Sequence, residues 1–198
     1  MPKRKQQAKS TKKKLPRNNR LICIAKFIAP IAAMLLFIGF AYLILDYKTF
    51  SNVFYLTTLE TFSPFSTELS APVGIGFGLE LPMIMLILVF VNVVISVFVV
   101  LNYDTLKLIP KVGKLFYRFD NKMKKAIKKY ELGKITFVGL FLYFLSPLHA
   151  SGSFTIGILG KLLQMENWKI LVIVILGTII GTIIFSTAMI GLLALLGF

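Results

Sequence analysis

The chain has 198 residues, 57% of them hydrophobic, with a mean hydropathy of +0.80 and a net charge of +15. That much apolar surface excludes an ordinary soluble domain, and the length allows one domain. The charge sits in two blocks, Lys3–Arg20 and Lys107–Lys134, each beside an apolar run. That placement points to the cytoplasmic face of a membrane and its anionic lipids rather than to nucleic acid.

Residues 1–20 are polar and basic and read as a disordered cytoplasmic tail. Residues 21–45 read as the first span. Their apolar run is too long for the core of a signal peptide, so it is expected to stay as a transmembrane helix. Residues 49–79 are apolar yet dense in breakers, with Pro64, Pro72, Gly74, Gly76 and Gly78. The expected arrangement is a short helix over Val53–Phe62, a turn at Ser63-Pro64 and a returning arm over Leu69–Leu79, together a re-entrant hairpin. Residues 81–103 are uncharged and form a full span, with Asn92 near the middle.

Residues 104–134 read as a basic amphipathic connector on the cytoplasmic surface. Residues 135–165 repeat the earlier oddity: an apolar arm Ile135–Leu145, a small polar break at Ser146–Ser153, and a second arm Phe154–Leu163. A second re-entrant hairpin is expected there. Residues 170–198 form the last span, where Gly177 and Gly181 have the G-x-x-x-G spacing that lets another helix approach closely.

The expected fold class is an all-α integral membrane protein of the cell membrane. It has three full transmembrane helices, two opposed re-entrant hairpins and a cytoplasmic N-terminus. Each hairpin with its following span crosses once, in opposite senses, which makes an inverted repeat. The residues offer an overlay: Ser63-Pro64 on Ser146-Pro147, Ser70 on Ser153, Val73 on Ile156, Gly74 on Gly157 and Ile75 on Ile158.

Few side chains can carry chemistry. Glu68 leads, because a carboxylate at a hairpin tip faces a wet cavity or takes a proton; the alternative is a solvated place at the outer interface. Glu60 and Glu80 can both reach an interface and rank lower. His149 lies in the opposite break, where it pairs with Glu68, caps the broken helix or faces the cytoplasm. Ser146, Ser151, Ser153 and Thr155, with the free N–H groups of the second arm, either cradle an anion or simply let helices pack, and Ser70 joins the substrate-binding candidates. Asn92 is the polar point of the second span. Cys23 and His149 are single, which excludes disulfide pairing within the chain and clustered Cys or His metal sites. No cofactor motif is present. A serine protease dyad is not expected, since the one histidine lies two residues from Ser151 in the same break. The chain is therefore not expected to be an enzyme.

Glu68-Leu69-Ser70-Ala71-Pro72-Val73-Gly74-Ile75-Gly76 resembles the E-L-R-G-A-I-P-x-G segment of the small multidrug export protein family. Pro147–Thr155 resembles that family's P-L-P-G-T-G-A-W-T segment, in the same order along the chain. The resemblance covers residues 67–198. It implies kinship with the DedA/VTT membrane proteins, which are associated with opposed re-entrant hairpins and with proton-coupled movement of lipids or lipid-linked phosphates. Ser70 stands where that family has arginine, Gly74 where it has proline, and His149-Ala150 where it has Pro-Gly. Without the arginine, a phosphate-bearing cargo loses its natural ligand.

The expected function is that of a transporter or flippase for an amphipathic or lipid-linked substrate, coupled to protons, without cofactor and compatible with a homo-oligomer. The alternative is a non-transporting membrane scaffold that binds anionic lipids or protein partners through its basic segments.

Overall fold

A computed structural model describes residues 17–62, 66–106, 135–145 and 152–195. Among them are seven α-helices and no strand. In chain order these are α1 (Arg17–Ile44), α2 (Tyr47–Phe62), α3 (Ser66–Gly76), α4 (Leu81–Leu106), α5 (Ile135–Leu145), α6 (Ser153–Leu162) and α7 (Asn167–Leu195). Three stretches are long and apolar enough to cross a membrane: Ile24–Ile44, Leu81–Thr105 and Asn167–Leu195. The all-helical architecture and the three long apolar helices are as expected.

Several boundaries differ from the sequence reading. The first helix begins at Arg17, four residues inside the stretch read as tail. Basic residues with no apolar period read as unstructured, although nothing in them breaks a helix that continues into the span. The helix expected over Val53–Phe62 begins at Tyr47. Asp46 starts it by accepting the backbone N–H of Thr49 at 3.0 Å, an N-terminal cap that sets the helix start earlier than expected. The arm expected over Leu69–Leu79 runs over Ser66–Gly76 instead, ended by Gly78 at φ +72°. Ile135–Leu145 is as expected. The turn at Ser63-Pro64, the connector beyond Leu106 and the break at Ser146–Ser151 lie outside the described residues.

One set of hydrogen bonds occurs twice. After α3, Phe77 N–H donates to Val73, Gly78 to Ile75, Leu79 to Gly74 and Ile84 to Glu80. After α6, Leu163 donates to Leu159, Gln164 to Lys161, Met165 to Gly160 and Ile170 to Glu166. All four pairs share one offset, that between positions 78 and 164. The middle two bonds of each set are a Schellman closure, which needs a left-handed residue at its turn. Gly78 (φ 72°) supplies it in one place and Gln164 (φ 58°) in the other.

The cores follow the same offset. Ile84, Ile87 and Leu88 are buried on α4, and Ile170, Ile173 and Val174 on α7. Ile84 fills the space above Gly74, where a Cβ would lie 2.8 Å from it. Ile170 does the same above Gly160, at 2.5 Å. The register differs from the overlay drawn from sequence, which set Gly74 on Gly157. It is shifted by about one helical turn, because backbone closure and not the scatter of small residues fixes it.

Packing completes the pattern. α2 touches α3 and α4, as α5 touches α6 and α7. α3 lies against α7, and α6 against α4. The G-x-x-x-G pattern serves two neighbours. Gly177 faces the Phe144 ring of α5, with which a Cβ would collide, and Gly181 faces Thr67 of α3, where a Cβ would lie 3.7 Å away. α1 stands outside the pattern and runs antiparallel to α4. Asn102 donates to the Lys26 carbonyl at 3.0 Å, Phe27 meets Phe98, and Phe37 stacks on Phe90.

Candidate functional site

Val53, Leu56, Thr57 and Glu60 are the buried residues of α2 and share one helical face. Glu60 is therefore carried inward by the same period that builds the core. It is 2% exposed, although its position near the helix end suggested access to an interface. The C-terminal end of a helix repels negative charge, so a carboxyl there needs donors. Thr67 Oγ1 donates to Glu60 Oε1 at 2.9 Å. Asn92 Nδ2 donates to the same oxygen, and also to the Leu88 carbonyl at 2.9 Å. These bonds fix the Asn92 amide with its nitrogen toward Glu60 and its Oδ1 away from it. Glu60 Oε2 and Asn92 Oδ1 are buried without a partner among the described residues.

Both groups line a cavity of about 480 Å³. Its polar lining also includes Ser153, the first residue of α6, which is buried with its hydroxyl unpartnered among the described residues. The rest of the wall is largely apolar, and three of its residues are exposed at the mouth: Ile31, Phe62 and Phe154. The cavity thus gathers the end of α2, the start of α6, and the middles of α1 and α4. At 1.5 Å per residue, Asn92 lies about 16 Å along α4 from Leu81, near half of a ~30 Å hydrocarbon core.

Of the residues singled out in the sequence, Asn92 and Ser153 meet at this cavity. Glu68 does not line it; it sits half-exposed in the first turn of α3. Ser70 is fully buried on α3, outside the lining but beside the Glu60 carboxyl, which its hydroxyl approaches without a well-formed hydrogen bond among the described residues. Thr155 is half-buried and outside the lining. His149 and Ser151 lie outside the described residues. Glu60 and Thr67 are the two site residues that sequence reasoning ranked low or passed over. The shared face of Val53, Leu56, Thr57 and Glu60 was the available signal. Among the described residues no group of three or more His, Cys, Asp or Glu side chains could hold a metal.

Residues 67–184, more than half of the chain, match the family described as "Putative small multi-drug export protein". The chain belongs to that family. Neither a curated protein nor a solved structure matches it. The match takes in α3 to α6 and most of α7, so Thr67, Asn92 and Ser153 lie within it while Glu60 and α1 precede it. Family membership and three long apolar helices together make this a multi-pass membrane protein of the small multidrug export type.

Proposed function

We propose that this protein is a carrier in the cell membrane that takes an amphipathic substrate from the bilayer into the Glu60 cavity and releases it at the other face. The observation that carries the reading is the cavity itself: apolar walls, one buried carboxyl and a mouth edged by exposed Phe62, Phe154 and Ile31, at mid-height of two spans. A buried carboxyl whose partners among the described residues are neutral is stable when it holds a proton or a cation. Exchange between the two is how such a group couples transport to protons. It binds and releases without bond chemistry, so the protein acts as a carrier and not as an enzyme.

Two re-entrant hairpins in an inverted repeat supply the machinery for alternating access. Support comes from chain directions. Lys161, in the last turn of α6, lies over the Tyr103 ring near the end of α4 and bonds Asn167 at the start of α7. The end of α4 and the start of α7 are therefore neighbours, as expected of antiparallel helices. α3 ends where α4 begins and α6 ends where α7 begins, by the same closing bonds. The two units then have opposite senses, and their broken tips, Glu60–Phe62 and Gly152–Phe154, line one cavity.

Orientation follows from charge. The start of α1, the end of α4 and the turn between α6 and α7 share one side. Arg17, Arg20, Lys26, Lys161 and Lys169 belong to it, and the basic segment of residues 107–134 leaves from it. That side is cytoplasmic by the positive-inside bias, which puts the N-terminus there and gathers anionic headgroups around it.

The test is efflux of a fluorescent amphiphile from proteoliposomes under a proton gradient. Ile95 lines the cavity, so Ile95→Trp fills it and is expected to abolish movement while the protein still folds. Unchanged efflux in that variant ends the cavity reading. Single cysteines at Thr61 and Ser153 in a Cys23→Ser background check the hairpins. Water-soluble reagents should reach the two sites only from opposite faces.

A further inference from the structure

We infer that the cavity selects a protonated amine that keeps at least one N–H, carried on an apolar body. The inference rests on the cavity being the cargo site, and adds the chemistry of what is chosen. Three residues of the lining each keep one buried polar atom without a partner among the described residues: Glu60 Oε2, Asn92 Oδ1 and Ser153 Oγ. Two of them can only accept when Glu60 is ionised. The Asn92 amide cannot turn its nitrogen to the ligand, since that nitrogen already serves Glu60 and Leu88. A ligand bringing N–H donors satisfies these acceptors; an anion adds a fourth acceptor, and a neutral hydrocarbon leaves them bare.

Charge agrees. Among the described residues the side chains that meet the Glu60 carboxyl are Thr67, Asn92 and Ser70, all neutral, so a cation is the natural complement of its carboxylate. The start of α6 contributes about half a positive unit at most, less than the full charge of a carboxylate. Phe62, Phe98 and Phe154 line the same space. Their rings suit both an apolar body and an ammonium. A quaternary ammonium meets the rings and the charge but has no hydrogen for the free oxygens. That separates the inference from simple attraction of any lipophilic cation. The same N–H-bearing ammonium occurs on free amphipathic amines and on the aminoethyl headgroup of a phospholipid.

Full-length protein in phosphatidylcholine nanodiscs is titrated calorimetrically with naphthylmethylamine, its trimethylammonium counterpart and naphthylmethanol. Empty nanodiscs correct for partitioning. The amine is expected to bind about tenfold or more tightly than either of the others. Glu60→Gln should erase that preference. Equal binding of the three, preference for the trimethyl form, no binding of the amine, or a preference that survives in Glu60→Gln overturns the inference. The comparison on the unaltered protein decides the matter even if the variant fails to fold.

Exchanging part of the lipid for phosphatidylethanolamine separates the two sources. Weakened amine binding assigns the site to the headgroup, and unchanged binding assigns it to a free amine; either result retains the ammonium. Selective binding with no transport in proteoliposomes keeps the inference and ends the carrier reading. Transport of naphthylmethanol with no amine preference does the reverse.

Discussion

The two units that end at Leu106 and Leu195 share a frame and differ in chemistry. Each closes its short helix with the same hydrogen bonds and buries isoleucine over a glycine at the same place. In the first, Thr67 and Asn92 hold Glu60. In the second, the matching positions are Ser153 and Thr178, whose hydroxyls have no partner among the described residues. The frame is thus built twice, while the carboxyl is supplied once. A binding site at the meeting of two like halves need not be symmetric; one half can bring the charge and the other the opening.

The sharpest way to break that comparison is to remove the charge. Glu60→Gln should lower proton-driven efflux by about 30-fold or more, the usual scale for losing one member of a buried charged pair. Glu68→Gln, half-exposed and away from the cavity lining, should stay within about twofold, that is within ~0.5 kcal/mol as for a surface substitution. Equal losses in both would move the site to Glu68 and undo the asymmetry.

The shared frame is tested through its glycines. Gly160→Ala brings a Cβ within 2.5 Å of Ile170, and Gly74→Ala within 2.8 Å of Ile84. Both should destabilise by about 1–3 kcal/mol, the range for overpacking, with Gly160 the worse. Gly39→Ala, with nothing within 4 Å, is the control and should cost nothing. Thermal unfolding in detergent reads all three. A tolerant Gly160 would mean that the second unit is looser than the first.

How much of this was legible without coordinates depends on what kind of contact carries it. The three long helices are written in hydropathy, and Asn92 shows as one strongly polar side chain in an uncharged run. Glu60 was undervalued because its partners lie seven and 32 residues away. No local pattern announces a threonine beyond a turn and an asparagine on another helix. The overlay drawn from sequence missed the register of the doubled closure. Gly78 marks its closure plainly, whereas the second closure uses Gln164 in the left-handed region, and glutamine carries no such signal.

A smaller contrast separates Asn92 from its counterpart Thr178. Asn92→Leu strips a donor from Glu60 and leaves the Leu88 carbonyl without its side-chain partner, so stability should fall by about 1–2 kcal/mol. Thr178→Val replaces a hydroxyl that lacks a partner among the described residues by a group of the same shape. It should be neutral or slightly stabilising, within about 0.5 kcal/mol. Unfolding midpoints of the two variants decide this. A large loss at Thr178 would mean that its hydroxyl contributes a bond the first unit's pattern does not reveal.

The smallest expected effect lies at the exposed ends of the helices. Bonding to Thr49, through its side chain and its backbone N–H, holds the Asp46 carboxyl below its ordinary value of 3.8. Trp168, then Lys169, holds Glu166 below 4.5, with the Lys169 ammonium 3.3 Å away. A depressed carboxyl contributes stability above its unfolded value and loses it as pH falls through the folded one. Both contributions should therefore be present at neutral pH. That of Glu166 should fade as pH drops below 4.5, and that of Asp46 below 3.8. Asp46 caps α2, the helix that carries Glu60, so its loss in acid should loosen the first unit. Glu166 opens α7 and should act on the second. Solvent screens both groups, so each shift should be small. Amide exchange followed through acid titration separates them. In Asp46→Asn the acid-induced rise in exchange should be blunted in α2 and unchanged in α7, and Glu166→Gln should do the opposite. Rises that stay coupled across both helices in either variant would show that the two units open together.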